Sequence, residues 1–195
     1  MINLRPYRDY DEKDVLNFAS FSGVLPAYRG TLVKIQQGFV ATDEPIEMLG
    51  AVGASYNNTV SQRYGAYAKI AATTAGEAPL GILLFDVRET DENGELLKFN
   101  PRKAMEMDVM LSGQAVPVCT KGTFLYSGTV LGAQTPVPHT KLYAGVSGEL
   151  TTGQAWGALG SGAITGITSP CVGFCLGGKD TTNAVMVRLD CTAGL

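Results

Sequence analysis

The chain has little of what chemistry usually requires. Its 195 residues include one histidine, one tryptophan and four cysteines, and charged residues make up only 17 %. Nucleophilic catalysis needs a serine or cysteine with a base and an orienting group beside it. With His139 in TPVPHT the sole imidazole, one dyad is conceivable, Cys119 with His139, and no nucleophile signature surrounds either. None of the cysteines has the paired short spacing of a zinc ribbon, and no other metal set with sensible spacing is present. The glycine-rich CLGGKDTT does not match the G-x-x-x-x-G-K-[ST] phosphate frame. Catalytic, cofactor and metal sites are therefore all expected to be absent.

Other shortages narrow the class. Net charge is −3, without the basic footprint that nucleic acid demands. No window approaches the roughly 18 uninterrupted apolar residues of a membrane span. The opening MINLRPYRDYDEKD lacks a cationic segment followed by an apolar run, so synthesis in a cytoplasm without a secretory leader is expected. Cys171 and Cys175 in PCVGFCLGG would share one face of a strand about 13 Å apart, too far for a disulfide. All four cysteines are expected as small core thiols. The carboxylate pairs Asp91-Glu92 and Glu106 with Asp108 are expected as solvated acids of a turn and of a wet strand face.

What is abundant is apolar residues, 45 %, and glycine, 24 residues, which favour a turn-rich β protein. In MEMDVML (105–111), Met105, Met107, Val109 and Leu111 alternate with Glu106 and Asp108, the pattern of a half-buried strand. Gly113 interrupts it. A second strand is expected from Gln114 to Cys119, a turn at Lys121-Gly122, and a third strand from Thr123 to Tyr126. Asn93-Gly94 between two apolar runs predicts a hairpin over 80–99. Further strands are expected at Thr31 to Ile35, Lys141 to Val146, Cys171 to Leu176 and Ala184 to Leu189. Turns are expected at Pro26 and over Gly177 to Asp180. Residues 49–72 read as strands and loop. The fold class is thus mainly β, a Gly-rich β-sandwich or barrel-like domain with short strands and hairpins over 24–195.

Residues 1–23 read differently. Seven charges in the first fourteen residues alternate with Ile2, Leu4, Tyr7 and Tyr10, isolated anchors with little continuous apolar surface. This segment is expected as an arm that orders on a neighbour or partner, with Arg5 and Arg8 pairing with acidic groups there. A short helix is expected from Asp11 to Phe21, capped by Asp11 and presenting Val15, Leu16, Phe18 and Ala19. Charge is scarce elsewhere: residues 133–178 hold only Lys141 and Glu149, the composition of a surface covered by another copy, and a symmetric homo-oligomer such as a trimer is expected. Arg29-Gly30-Thr31 resembles Lys121-Gly122-Thr123, and 51 residues after each glycine Gly81 and Gly173 open apolar runs, the pattern of two similar halves.

The serial pattern LSGQAVPVCTKGTFLYSG, KLYAGVSGELTT, PCVGFCLGG and AVMVRLDC resembles the head decoration, or cement, proteins of tailed bacteriophages. The resemblance covers about residues 78–191, is weaker over 24–77 and does not reach the first 23 residues. It implies a mostly β structural protein with no catalytic residues and no cofactor. Such a protein is made in the host cytoplasm and bound in many copies to the major capsid protein on the outer surface of the shell. There, as a small homo-oligomer, it stabilises the shell against the pressure of packaged DNA. Another virion component, such as a tail-tube or head-fibre protein, shares the same profile. A cysteine enzyme using Cys119 and His139 is the remaining alternative.

Overall fold

Alternation along the C-terminal third builds an antiparallel sheet with a wet face and a dry one. In this computed structural model, which describes residues 3–6, 11–17, 19–37, 68–111, 113–153 and 170–191, that first sheet has six strands. Their order is β1 (Asn3–Pro6), β10 (Lys121–Ser127), β14 (Val185–Asp190), β13 (Cys171–Lys179), β11 (Lys141–Ala144) and β12 (Leu150–Thr151). Phe124, Tyr126, Leu142, Val187 and Leu189 point inward into one cluster. The residues between them, such as Leu125 and Arg188, stay partly or fully exposed.

The second sheet lies under that cluster. Its order is β2 (Val15–Leu16), β9 (Val118–Cys119), β6 (Gly81–Leu83), β4 (Leu32–Gln37), β5 (Ala68–Ala72) and β3 (Ala19–Phe21), with only β3 and β5 parallel. Leu32, Ile82 and Cys119 face the first sheet, whereas Val33, Leu83 and Val118 face a second cluster with Phe21, Ile70 and Val87. Burial on both faces explains why Gly81 to Leu84 reads as a continuous apolar run. A small third unit pairs β7 (Asp86–Arg88) in parallel with β8 (Val109–Leu111). Between them run a 3-10 turn, Leu97–Phe99, and the helix α1 (Pro101–Glu106) around Leu97, Ala104 and Val109. The fold is mainly β, with two short helices among the described residues, α1 and α2 (Thr129–Ala133).

Several sequence expectations change at this level. Residues 1–23 are built into both sheets among the described positions, not held apart as an arm. β1 pairs with β10 through Leu4 opposite Tyr126, and Leu4 is 4 % exposed. The helix expected over Asp11 to Phe21 is a 3-10 turn at Glu12–Asp14 followed by β2 and β3. Asp11 does cap that turn, accepting from Lys13 N at 3.3 Å. The apolar residues beyond it extend because β9 and β5 offer them open edges.

Met105 and Glu106 belong to α1, begun by Pro101, and only Val109 to Leu111 form the expected strand. Lys121-Gly122 lies inside β10, paired with β14, and is not a turn. Gly177 to Lys179 continue β13, and the turn moves to 180–183. There the Asp180 carboxylate accepts from Thr182 N at 2.7 Å and Ala184 N at 2.8 Å. The hairpin over 80–99 reduces to a single bridge, Thr90 with Leu96, around a turn in which Gly94 has φ +84°.

A register shift between β11 and β13 sets Tyr143 opposite Cys171 and Leu142 opposite Gly173. That extra residue throws Cys171 out of phase with Cys175, so they do not share a face: Cys175 is in the core and Cys171 is half-buried. The strand led by Gly81 pairs directly with the one after Gly30, while β14 separates β10 from β13. Part of the charge-poor stretch is explained by β11 and the start of β13, interior strands of the first sheet, and by β12 at its edge, whose Leu150 and Thr151 are buried. Gly38, residues 49–67 and residues 154–169 lie outside the described residues.

Candidate interaction surface

Cys119 and His139 are not brought together. Cys119 sits in the core beneath the first sheet, its Sγ donating to the Lys121 carbonyl at 3.0 Å, and burial pushes its thiol up to about 11. Burial likewise raises Cys175 to about 11 and Cys191 to about 12. His139 is exposed, with φ +66°, its backbone N–H on the Cys175 carbonyl at 2.8 Å. Its ring stacks on Phe174 with centroids 6.1 Å apart, on the other side of the sheet from Cys119. A thiol held protonated and out of reach of the imidazole has no means of activation. Among the described residues no group of three or more His, Cys, Asp or Glu side chains could hold a metal ion. Among them, too, no helix is long and apolar enough to cross a membrane.

The carboxylates sort into two kinds. Glu106, expected with Asp108 as a solvated acid of a strand face, is exposed but ends α1, where it pairs with the exposed Arg102 one turn earlier at 3.1 Å. Asp91, expected in solvent beside Glu92, is instead buried. It accepts from Asn93 N and Glu95 N, each at 2.8 Å, and pairs with Lys103. The Lys103 ammonium and those two N–H groups hold its carboxyl below the usual value. The D-x-N-G spacing was the available signal, since an aspartate two residues before a turn asparagine is placed to bond the turn's backbone.

Of the expected contact residues, Leu4 points into the core, where alternation along β1 sends it, and so cannot meet a partner. Arg5, one position on, is exposed on the outward face of the first sheet. Ile2, Tyr7, Arg8 and Tyr10 lie outside the described residues. Sequence reading missed what surrounds Arg5. Cross-strand register lines up Arg5, Leu125 and Met186 in one row, and Thr123, Arg188, Phe174 and Lys141 in the next. Leu125, Met186, Phe174 and Tyr143 are half-buried, a low apolar floor, and Arg5, Lys121, Lys141 and Arg188 stand exposed above it.

The only carboxylate at these outward positions is Asp190, approached by Lys121 at 3.7 Å. Among the described residues Arg5, Lys141 and Arg188 make no salt bridge. A chain of net charge −3 thus gathers four cations on one sheet face. The signal was in the strand alternation, Lys-x-Thr-x-Leu and Met-x-Arg-x-Asp, but it becomes a patch only once register is known.

Comparison with family models, curated proteins and solved structures finds no match. The site therefore rests on its own geometry.

Away from this face, parts of β3 and β5 and the turn at 146–148 line a concavity. It is a cleft of about 620 Å³ with Phe21, Val24, Tyr28, Ala72, Val146 and Ser147 among its lining residues. Its wall at 146–148 is fixed by Gly148, whose N–H donates to the Thr73 carbonyl at 2.8 Å. Gly148 has φ +73°, and a Cβ there would come within 2.6 Å of the Leu32 carbonyl, so only glycine closes this wall on β4. Glu149 anchors the same turn by accepting from Val130 N at 2.8 Å at the start of α2. Beside the cleft, the Arg88 guanidinium lies 5.3 Å from the ring centroid of Tyr28, one of the lining residues.

Proposed function

We propose that this chain is a structural virion protein of the capsid-decoration kind, docking through the outward face of its first sheet on an acidic region of a tailed-phage shell. One observation carries the reading. Arg5, Lys121, Lys141 and Arg188 stand above a floor of Leu125, Met186, Phe174 and Tyr143 in a chain whose net charge is negative. An apolar floor supplies contact area, and cations of one sign select a partner of the other and steer its approach. Strands fixed in register hold both without a loop to order, which limits the entropy lost on docking. Many copies on one lattice bridge neighbouring subunits, so each contact can be modest while the shell gains strength. The resemblance in sequence pattern points to the same class.

The test is co-sedimentation with heads assembled from the major capsid protein of the same genome. The wild-type chain is expected to pellet with expanded heads and not with double-stranded DNA, less so as salt rises. The pair Lys141→Glu and Arg188→Glu should weaken head binding at least tenfold, equivalent to about 1.4 kcal/mol. A chain that stays in the supernatant with heads, or charge-reversed protein that binds as well as wild type, would overturn the reading.

A further inference from the structure

The turn that Asp91 organises contains Asn93, the one asparagine of this chain that is followed by glycine. A side-chain amide of asparagine is open to attack by the backbone nitrogen of the next residue, and a side chain on that residue hinders the approach. Gly94 has none. Residues 92–96 are all exposed, and a Cβ placed at Gly94 would meet nothing within 4 Å. Among the described residues Asn93 is bonded through its backbone N–H, and its side-chain amide has no partner. The Gly94 N–H is the least firmly held of the turn: it reaches the Asp91 carbonyl at 3.3 Å, whereas the N–H groups of Asn93 and Glu95 on either side donate to the Asp91 carboxylate at 2.8 Å each. The other described asparagines lack this combination. Asn100 precedes Pro101, which has no N–H, and Asn3 and Asn17 precede the bulky Leu4 and Phe18. The N–H after Asn183, that of Ala184, is held on the Asp180 carboxylate at 2.8 Å.

We propose that Asn93 is a site of spontaneous covalent modification, deamidation through a cyclic imide, and that its isoaspartyl product unties the small unit around α1. The Gly94 nitrogen gives up its proton to solvent base and bonds to the side-chain carbonyl carbon of Asn93. The carbon–nitrogen bond of the side-chain amide breaks and ammonia leaves. Water then opens the imide ring. Addition at the former side-chain carbonyl yields aspartate, whereas addition at the backbone carbonyl yields isoaspartate, whose main chain runs through the side chain and is longer by one methylene. Water is the only co-reactant, and nothing is oxidised or reduced. The structural effect follows from the two bonds made by Asp91 Oδ1, which accepts from both Asn93 N and Glu95 N. The added methylene falls between those two donors, so one oxygen no longer serves both, and the turn loses part of its hold on Lys103 and α1. Plain aspartate keeps the native chain length and both bonds. With only Leu97, Ala104 and Val109 in its own cluster, the small unit has little apolar area to make up the loss. The reaction uses neither the outward face of the first sheet nor any capsid, and so stands or falls independently of shell docking.

Incubating the full folded chain in mildly alkaline buffer tests this, because the attacking nitrogen must lose its proton. Peptide mapping by mass spectrometry should place the exchange of an amide NH2 for OH at Asn93, at least about tenfold faster than at Asn183, whose following N–H carries a charge-assisted bond. Asn93→Gln, whose longer side chain closes such a ring poorly, should abolish the change in this segment. The decisive arm compares the isoaspartyl form, resolved by chromatography, with Asn93→Asp, which adds the charge without the methylene. Amide exchange within 90–108 should be at least about tenfold faster in the isoaspartyl form, the size expected for losing one hydrogen bond to a charged group, while β10 and β14 stay unchanged. Asn93→Asp should exchange like the wild type. An Asn93 that keeps its amide in the folded chain, or reacts no faster than Asn183, would overturn the assignment of the site. An isoaspartyl form that exchanges like Asn93→Asp would overturn the untying.

Discussion

The two sheets and the small unit at 86–111 solve the same problem with different means. In the sheets, whole side chains vanish into large apolar clusters. Phe124, Tyr126, Leu142, Leu150 and Leu189 are essentially inaccessible, and strand alternation is enough to place them. The small unit has only Leu97, Ala104 and Val109 in its own cluster, too little apolar area to organise twenty residues. There a buried carboxylate takes over: Asp91 gathers the turn through Asn93 N and Glu95 N and ties it to α1 through Lys103. Where apolar area is large, periodicity decides the structure. Where it is small, one polar centre does, and periodicity misleads.

The sharpest break of this contrast comes from the core of the first sheet. Phe124→Ala removes a fully buried ring between β1 and β14 and should cost about 3–5 kcal/mol, read as a lower urea midpoint with unchanged slope. A loss confined to a few local amides would show that the sheets do not unfold as one unit. Next in size is Gly173→Ala. A Cβ at this position would lie 2.2 Å from the Arg188 carbonyl, so β13 and β14 must separate, at a cost of roughly 1–3 kcal/mol. A neutral result would mean that the register between these strands relaxes freely.

The same contrast explains what was legible beforehand. The β class was legible, and the strands expected at Thr31 to Ile35, Thr123 to Tyr126, Lys141 to Val146, Cys171 to Leu176 and Ala184 to Leu189 each overlap an observed one, because their alternation or continuity is kept, though β10 and β13 run on through the expected turns. MEMDVML alternates just as well, yet its first two residues are helix and only its last three are strand, because Pro101 starts α1 and the Asp91 to Lys103 tie holds it. Nothing in a two-residue repeat records a bond made twelve residues away. Likewise, four cations scattered over β1, β10, β11 and β14 look like ordinary surface charge in a linear reading. Register alone makes neighbours of Arg188, Phe174 and Lys141.

Asp91 offers a smaller and more local test, with a sign fixed by linkage. Its folded carboxyl is held low, first by the Lys103 hydrogen bond and then by backbone N–H groups, so its contribution is present above the unfolded value, about 3.9, and is lost as pH falls through the folded one. Lys103 is raised by the same pairing, so its share is complete below the unfolded lysine value, about 10.4, and is lost as pH rises through the folded one. Amide exchange within 90–108 should therefore quicken, relative to β10 and β14, below about pH 4 and at strongly alkaline pH. Asp91→Asn should quicken it at neutral pH and abolish the acid step. Exchange that accelerates equally in the sheets would remove the distinction between the two regions.

The smallest expected effect on stability lies one residue from one of the largest. Val187 is buried between β10 and β13, while Arg188, the next residue along β14, is exposed on the other face. Because successive side chains of a strand belong to different environments, Arg188→Glu should change folding free energy by no more than about 0.5 kcal/mol. Lys141 and Arg188 flank Phe174 without a carboxylate between them, so reversing one of the two relieves like-charge crowding on that row and leaves the core untouched. Chemical denaturation of this variant beside Phe124→Ala measures both faces of one sheet on a single scale. A loss at Arg188 approaching that of Phe124 would mean that the outward row is part of the fold's support, and the division of the sheet into a stabilising face and a recognition face would fail.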